Sequence, residues 1–156
     1  MGRPGRLTAS SLLATGADRV WAETTTAEGI NHELMPIVRM TVPGEQDTLS
    51  VADVTNGQHV GRSWLLLGGL IPFDYDDITI EWIEPGRAFQ EDSTMLSQRS
   101  WRHHREVLPD GEGGCRVTDT VTFEPRLPLP VRLLEFVFGQ VFAHRHRRLR
   151  RRYGQA

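Results

Sequence analysis

The chain contains no lysine; all 18 of its basic residues are arginine, which reads as a coding bias rather than as chemistry. It has a single cysteine, Cys115. That excludes an internal disulfide and points to a reducing, cytoplasmic compartment. No apolar run approaches the ~20 residues needed to cross a bilayer. The longest runs, residues 64–73 and 133–143, are the size of core segments. No apolar stretch of signal-peptide type follows the first six residues, so no leader is expected. The sequence has no Gly-x-Ser-x-Gly elbow, no Walker loop and no dinucleotide fingerprint. With 38% hydrophobic and 24% charged residues it has the make-up of an ordinary globule with a real core, and one domain over residues 1–156 is expected.

Acidic side chains are missing from the end of the chain. All 20 lie before His144, and six arginines lie after it. Residues 1–143 thus carry twelve arginines against twenty carboxylates, a net −8, and the last thirteen residues carry +6. A basic tail can serve an anionic partner. Cations at a helix C-terminus also offset the helix dipole with no partner at all. The second account is the simpler, and no nucleic-acid partner is expected.

What is present is a long strand-like stretch followed by one amphipathic helix. Residues 6–14 read as a first strand, and residues 17–24 and 27–33 as two short helices, the second capped by Thr26. A strand follows at 37–42, and a helical turn is expected near 49–54. Strands are then expected at 61–70, 78–83, 88–96, 98–108 and 115–124, with residues 72–77 as a turn. Gly68-Gly69 reads as a bulge or bend. Pro125, Pro128 and Pro130 break the pattern before a helix over 131–153. An antiparallel sheet must bury one face, and only this last helix is long enough to cover it.

Alternation fixes which side chains share a face. In the last strand Cys115, Val117, Asp119, Val121 and Phe123 point inward, and Arg116, Thr118, Thr120 and Thr122 point to water. Folding back over residues 109–114 places His103 opposite Asp119 and Arg105 opposite Val117. A tight turn at 96–98 places Glu91 opposite His103. Cross-strand neighbours lie ~5 Å apart, so Glu91, His103 and Asp119 form an inward polar row. On the last helix Arg145 falls inside the apolar stripe of Val131, Leu134, Phe138, Val141, Phe142, Leu149 and Tyr153. Arg145 is expected to pair with Asp119 or Glu91. Such a network can be a structural clamp, a ligand anchor or an acid–base pair.

Metal chemistry is not indicated. His103 and His104 point to opposite faces of a strand. His144 and His146 lie about 200° apart on a helix and cannot share an ion. The aromatics Trp64, Trp82, Phe89 and Trp101 lie on strands and read as core or as the wall of an apolar pocket.

The order strand, two short helices, six strands, long helix resembles the START/SRPBCC superfamily of birch-pollen-allergen-like and polyketide-cyclase-like proteins. Residues 87–91, 101–103, 117–121 and 144–146 resemble sheet and closing-helix motifs of uncharacterised bacterial members. The resemblance spans the whole chain. It implies an α+β helix-grip fold: a curved seven-stranded antiparallel sheet around a C-terminal helix, with a cavity between them. It further implies binding of a small, mainly apolar ligand, such as a lipid, polyketide or aromatic metabolite, without a cofactor. The cavity would be lined by Trp64, Ile80, Trp82, Phe89, Trp101, Val117, Val121, Phe138 and Phe142, with Glu91, His103, Arg105, Asp119 and Arg145 as its polar groups. An alternative is a cyclase or dehydratase using His103 with Asp119 or Glu91. A further alternative is an interaction module that docks through the arginine-rich tail. The resemblance transfers no catalytic set.

Overall fold

The computed structural model describes residues 3–43, 50 and 53–156. Strand β1 (Gly5–Leu13) leads into helices α1 (Ala17–Thr24) and α2 (Ala27–Leu34). Strands β2 (Val38–Met40), β3 (Gln58–Leu67), β4 (Ile71–Glu84), β5 (Ala88–Met95), β6 (Gln98–Asp110) and β7 (Gly114–Pro125) follow, and α3 (Val131–Tyr153) closes the chain. The strands form one curved antiparallel sheet in the order β1-β7-β6-β5-β4-β3-β2, the helix-grip arrangement expected. The helical turn expected near 49–54 falls largely outside the described residues.

Local chemistry explains the short elements. Thr26 accepts a hydrogen bond from the Gly29 amide at 3.0 Å and caps α2. Gly29 is also the point of closest approach between the two helices, because a Cβ there would lie 1.9 Å from the Glu23 carbonyl oxygen. Asn31 then bonds both backbone groups of Met40, at 2.9 and 2.7 Å, and locks α2 to β2. This lock places the next turn of α2, with Glu33, under α3.

Two turns differ from the sequence reading. Gly68 and Gly69 are not a bulge. With φ of 63° and 82° they make the β3–β4 turn itself. Residues 72–77, expected as a turn, therefore belong to β4. The β6–β7 loop is only residues 111–113, with Gly111 and Gly113 at positive φ. The pairing is accordingly His103↔Val121 and Arg105↔Asp119, two residues from the expected register. A slip of two keeps every side chain on its expected face, where a slip of one would have inverted them all. The β5–β6 register, Glu91↔His103 and Ser93↔Trp101, is as expected.

Helix α3 is pinned along its length. Glu135 accepts from the Arg6 amide at 3.1 Å, His144 bonds the Met35 carbonyl at 2.9 Å, and Arg148 donates to the His32 carbonyl at 2.9 Å. Its backbone neighbours are β1 on one side and α2 on the other. The tail arginines differ in their surroundings. Arg147 and Arg151 are exposed, but Arg150 donates to Ser11 at 2.9 Å, and Arg152 lies 3.8 Å from Glu23.

Candidate functional site

The concave face is banded. An inner apolar cluster holds Leu13, Trp21, Ile80, Phe89, Val107, Val117, Leu149 and Tyr153. An outer cluster holds Met95, Trp101, Val121, Phe123 and Phe142. Between them runs a polar layer, one step along each element: Arg105 and His103 on β6, Asp119 on β7, Arg145 and His146 on α3, and Glu33 on α2.

Arg105 is the hub of that layer and is 1% exposed. It donates to Asp119 at 2.7 and 2.8 Å and to Glu33 at 2.9 and 2.7 Å, a fork onto each carboxylate. Asp119 also bonds His103 Nε2 and His146 Nε2, both at 2.7 Å. Ser11 Oγ lies 2.7 Å from His146 Nδ1, and Arg150 donates to Ser11 Oγ. Since Arg150 donates to Ser11, the Ser11 hydroxyl is free to donate to Nδ1. His146 then holds its proton on Nε2, toward Asp119. Burial alone would raise the pKa of Asp119. The charge of Arg105 and the bonds from His103, His146 and Arg105 overcome it and hold the carboxyl well below its usual range. Glu33 is held down in the same way: Arg105 and Arg145 outweigh its burial. The two carboxylates face two guanidiniums, so these four charges balance.

Arg145 points inward, 7% exposed, as expected, but its partner differs. Its Nε donates to Glu33 at 3.1 Å, and neither Asp119 nor Glu91 is its salt-bridge partner. Asp119 is already saturated by Arg105 and the two histidines, and Glu33 descends from α2 to meet the helix. Arg145→Ala is expected to cost about 3 kcal/mol or more by weakening the hold on a buried carboxylate. Arg147→Ala, at an exposed site, should stay within about 0.5 kcal/mol. Urea unfolding of the two variants checks this; equal effects would reject the inward placement. Ser11→Ala is a milder test. It leaves His146 Nδ1 without its donor and should cost about 1–3 kcal/mol, whereas Ser10→Ala at the exposed neighbour should be near neutral.

A second polar group sits on β4 and β5. Asp76 and Glu91 are buried, 5% and 8% exposed. Neither Asp76 Oδ1 nor Glu91 Oε2 meets a hydrogen-bond donor among the described residues. The negative charge of Glu91 disfavours ionisation of Asp76. Burial first, and then the charge of Glu91, raise Asp76 well above the usual carboxyl range.

Two expected lining residues lie elsewhere. Trp82 follows a β-bulge between Ile80 and Trp82 that turns it to the convex face, where its ring lies 5.4 Å from His104. Trp64 is also on the convex face, 43% exposed and edge-on to Tyr75 at 5.6 Å. Ile80, Phe89 and Val117 are sealed into the inner cluster. Trp101, Val121, Phe138 and Phe142 do come together in or against the outer cluster, with Phe138 set 5.2 Å from Trp101 and 4.9 Å from Phe123. Leu65 of β3 and Leu134 and Phe138 of α3 pack on that cluster but remain partly exposed. The outer cluster thus has a partly exposed apolar side, made by these three residues. Two clefts of about 320 and about 450 Å³ open at the surface, and neither is lined by the outer cluster.

Sequence reasoning missed Glu33, His146 and Asp76. Asp76 was legible, because the Ile78–Ile80 alternation carried backward puts it on the same face. His146 stands four residues after Phe142, on the side of the helix toward β1. Glu33 gave no signal, because only tertiary packing brings α2 to Arg105.

The sheet and the closing helix make the helix-grip fold seen in START/SRPBCC structures. Solved structures agree. A START superfamily protein from Mycobacterium smegmatis superposes with a TM-score of 0.66 at 10% identity, covering 95% of this chain and 96% of the other. A Streptomyces aromatase/cyclase, Zhui, gives 0.66 at 13% identity, with 94% and 92% covered. A conserved protein from Geobacillus kaustophilus gives 0.67 at 12%, with 96% and 93% covered. No curated protein matches the sequence. Residues 11–153 match the family described as a domain of unknown function, DUF8410, and the chain belongs to that family.

Proposed function

We propose that the protein binds a small, mainly apolar molecule between α3 and β3–β5. The observation that carries this is the outer cluster. Its wall of Met95, Trp101, Val121, Phe123 and Phe142 is core-like, yet Leu65, Leu134 and Phe138 on its open side remain partly exposed. An apolar surface of this kind is stabilised by an apolar guest. The aromatase/cyclase among the structural neighbours supports a fold able to hold such a guest. An environment-sensitive apolar dye should bind saturably. Trp101→Ala should weaken that binding roughly tenfold or more, from the loss of a large buried ring. Trp82→Ala, on the convex face, should leave it unchanged. Absence of saturable binding, or sensitivity to Trp82 in place of Trp101, would reject the site.

A second reading, acid–base chemistry on the guest, is favoured by the carboxyl pair Asp76–Glu91 rather than by His103 and Asp119. His103 is 5% exposed, its Nε2 is bound to Asp119, and its ring lies between Phe89 and Phe142. Asp76 keeps its proton to a higher pH than an ordinary carboxyl and could exchange it with the guest. Turnover of a polyketide-like substrate lost in both Asp76→Asn and Glu91→Gln would support this reading; turnover retained in both would remove it.

A further inference from the structure

The antiparallel register collects one end of the molecule. Leu67 pairs with Ile71 and Val38, Asp76 with Met95, Gln98 with Pro125 and Gly5 with Phe123, and α3 starts just beyond. The β3–β4 turn, the β5–β6 turn, the β7–α3 segment and the first turns of α3 therefore meet at this end. Eleven of the fourteen exposed large apolar side chains among the described residues lie there; the other three are Leu12, Trp64 and Leu108. Leu70 at the β3–β4 turn is 84% exposed, Ile71 62%, Leu127 65% and Phe136 on α3 64%. They sit on separate tips, so no one segment of the chain covers them.

Arginine outnumbers carboxylate among the exposed charges at this end. Arg3, Arg99, Arg126 and Arg132 are exposed there. The cleft of about 320 Å³ lies among the tips and is lined by three of them, Arg3, Arg99 and Arg126, together with Leu127 and Leu129. Glu124 is the exposed carboxylate lining it. Glu135 nearby is bound by Arg3 and the Arg6 amide. A local arginine excess on a chain of net charge −2 is not a general property of its surface.

We propose that this end docks on the surface of an anionic lipid bilayer. The apolar tips enter the boundary between headgroups and acyl chains, and the arginine-lined cleft takes a lipid phosphate. Apolar side chains ringed by arginine are what such an interface selects. No helix among the described residues is long and apolar enough to cross a membrane, so this attachment would be peripheral. The arginine-rich end of α3, at the opposite end of the sheet, takes no part. A second copy of the chain is the rival occupant, but the arginines would then face one another.

Flotation with vesicles of phosphatidylcholine, alone or mixed with phosphatidylglycerol, tests the proposal on the full chain. Binding should need phosphatidylglycerol and weaken with salt. Leu70→Asp with Phe136→Asp should lower it at least tenfold. Arg99→Ala and Arg126→Ala should each lower it about fivefold, and Arg151→Ala should not. These sites are exposed, so an unchanged melting curve will show that the variants fold. Dye binding between α3 and the sheet should survive in Leu70→Asp, which separates failure here from failure of the ligand site. No binding to anionic vesicles, binding indifferent to these variants, or a dimer abolished by Leu70→Asp without vesicle binding would overturn the proposal.

Discussion

Arg105→Leu is expected to be the most damaging single change in the protein. It removes four hydrogen bonds at once and leaves Glu33 and Asp119, both buried, facing each other. Breaking one buried pair costs about 3–5 kcal/mol, and Arg105 serves two. A domain has about 5–15 kcal/mol in total, so the variant should unfold at low urea or fail to fold. Arg102→Leu, three residues away on the exposed face, should be near neutral. Adding Glu33→Gln and Asp119→Asn to Arg105→Leu should recover part of the loss, because the stranded charges go with the guanidinium. A triple variant no better than the single one would contradict this account. The pH dependence follows from the same residues. Glu33 and Asp119 have depressed pKa values in the folded state. Their contribution is full above the unfolded values of about 4 and is lost as pH falls through the folded ones.

Asp76→Asn is expected to act in the opposite direction. The folded pKa of Asp76 is raised. Below about pH 4 both folded and unfolded chains keep the proton, and burial of the carboxyl costs little ionisation energy. Above that, the unfolded chain ionises while the folded one stays protonated, so stability falls as pH rises toward the folded pKa. An asparagine amide cannot ionise. The variant should therefore be more stable than wild type at pH 7, with the gain vanishing near pH 4. Each unit of raised pKa corresponds to about 1.4 kcal/mol. Urea midpoints at the two pH values measure it, and equal destabilisation at both would contradict the raised pKa of Asp76.

The sheet was legible because alternation survives local error. The β6–β7 register is off by two, yet Arg105, His103 and Asp119 still face inward, since parity and not exact pairing decides the face. Trp82 was misplaced because a bulge, which changes parity, leaves no mark in the alternation of Ile78, Ile80 and Trp82. The burial of Arg145 followed from its place in an apolar stripe. Its partner did not, because Glu33 lies 112 residues away, on a short helix set by Asn31 and Thr26. Long-range pairs of this kind are made by packing, and periodicity does not carry them.

The four tryptophan indole N–H groups give the most direct test of the binding site. In a nitrogen-15 correlation spectrum titrated with an apolar probe, the Trp101 indole should shift saturably, with backbone shifts at Leu65, Met95 and Phe138. Trp64 and Trp82, on the convex face, should not move. Saturable shifts confined to Trp64 and Trp82, or no shift at Trp101 at saturating probe, would contradict a ligand site between α3 and the sheet.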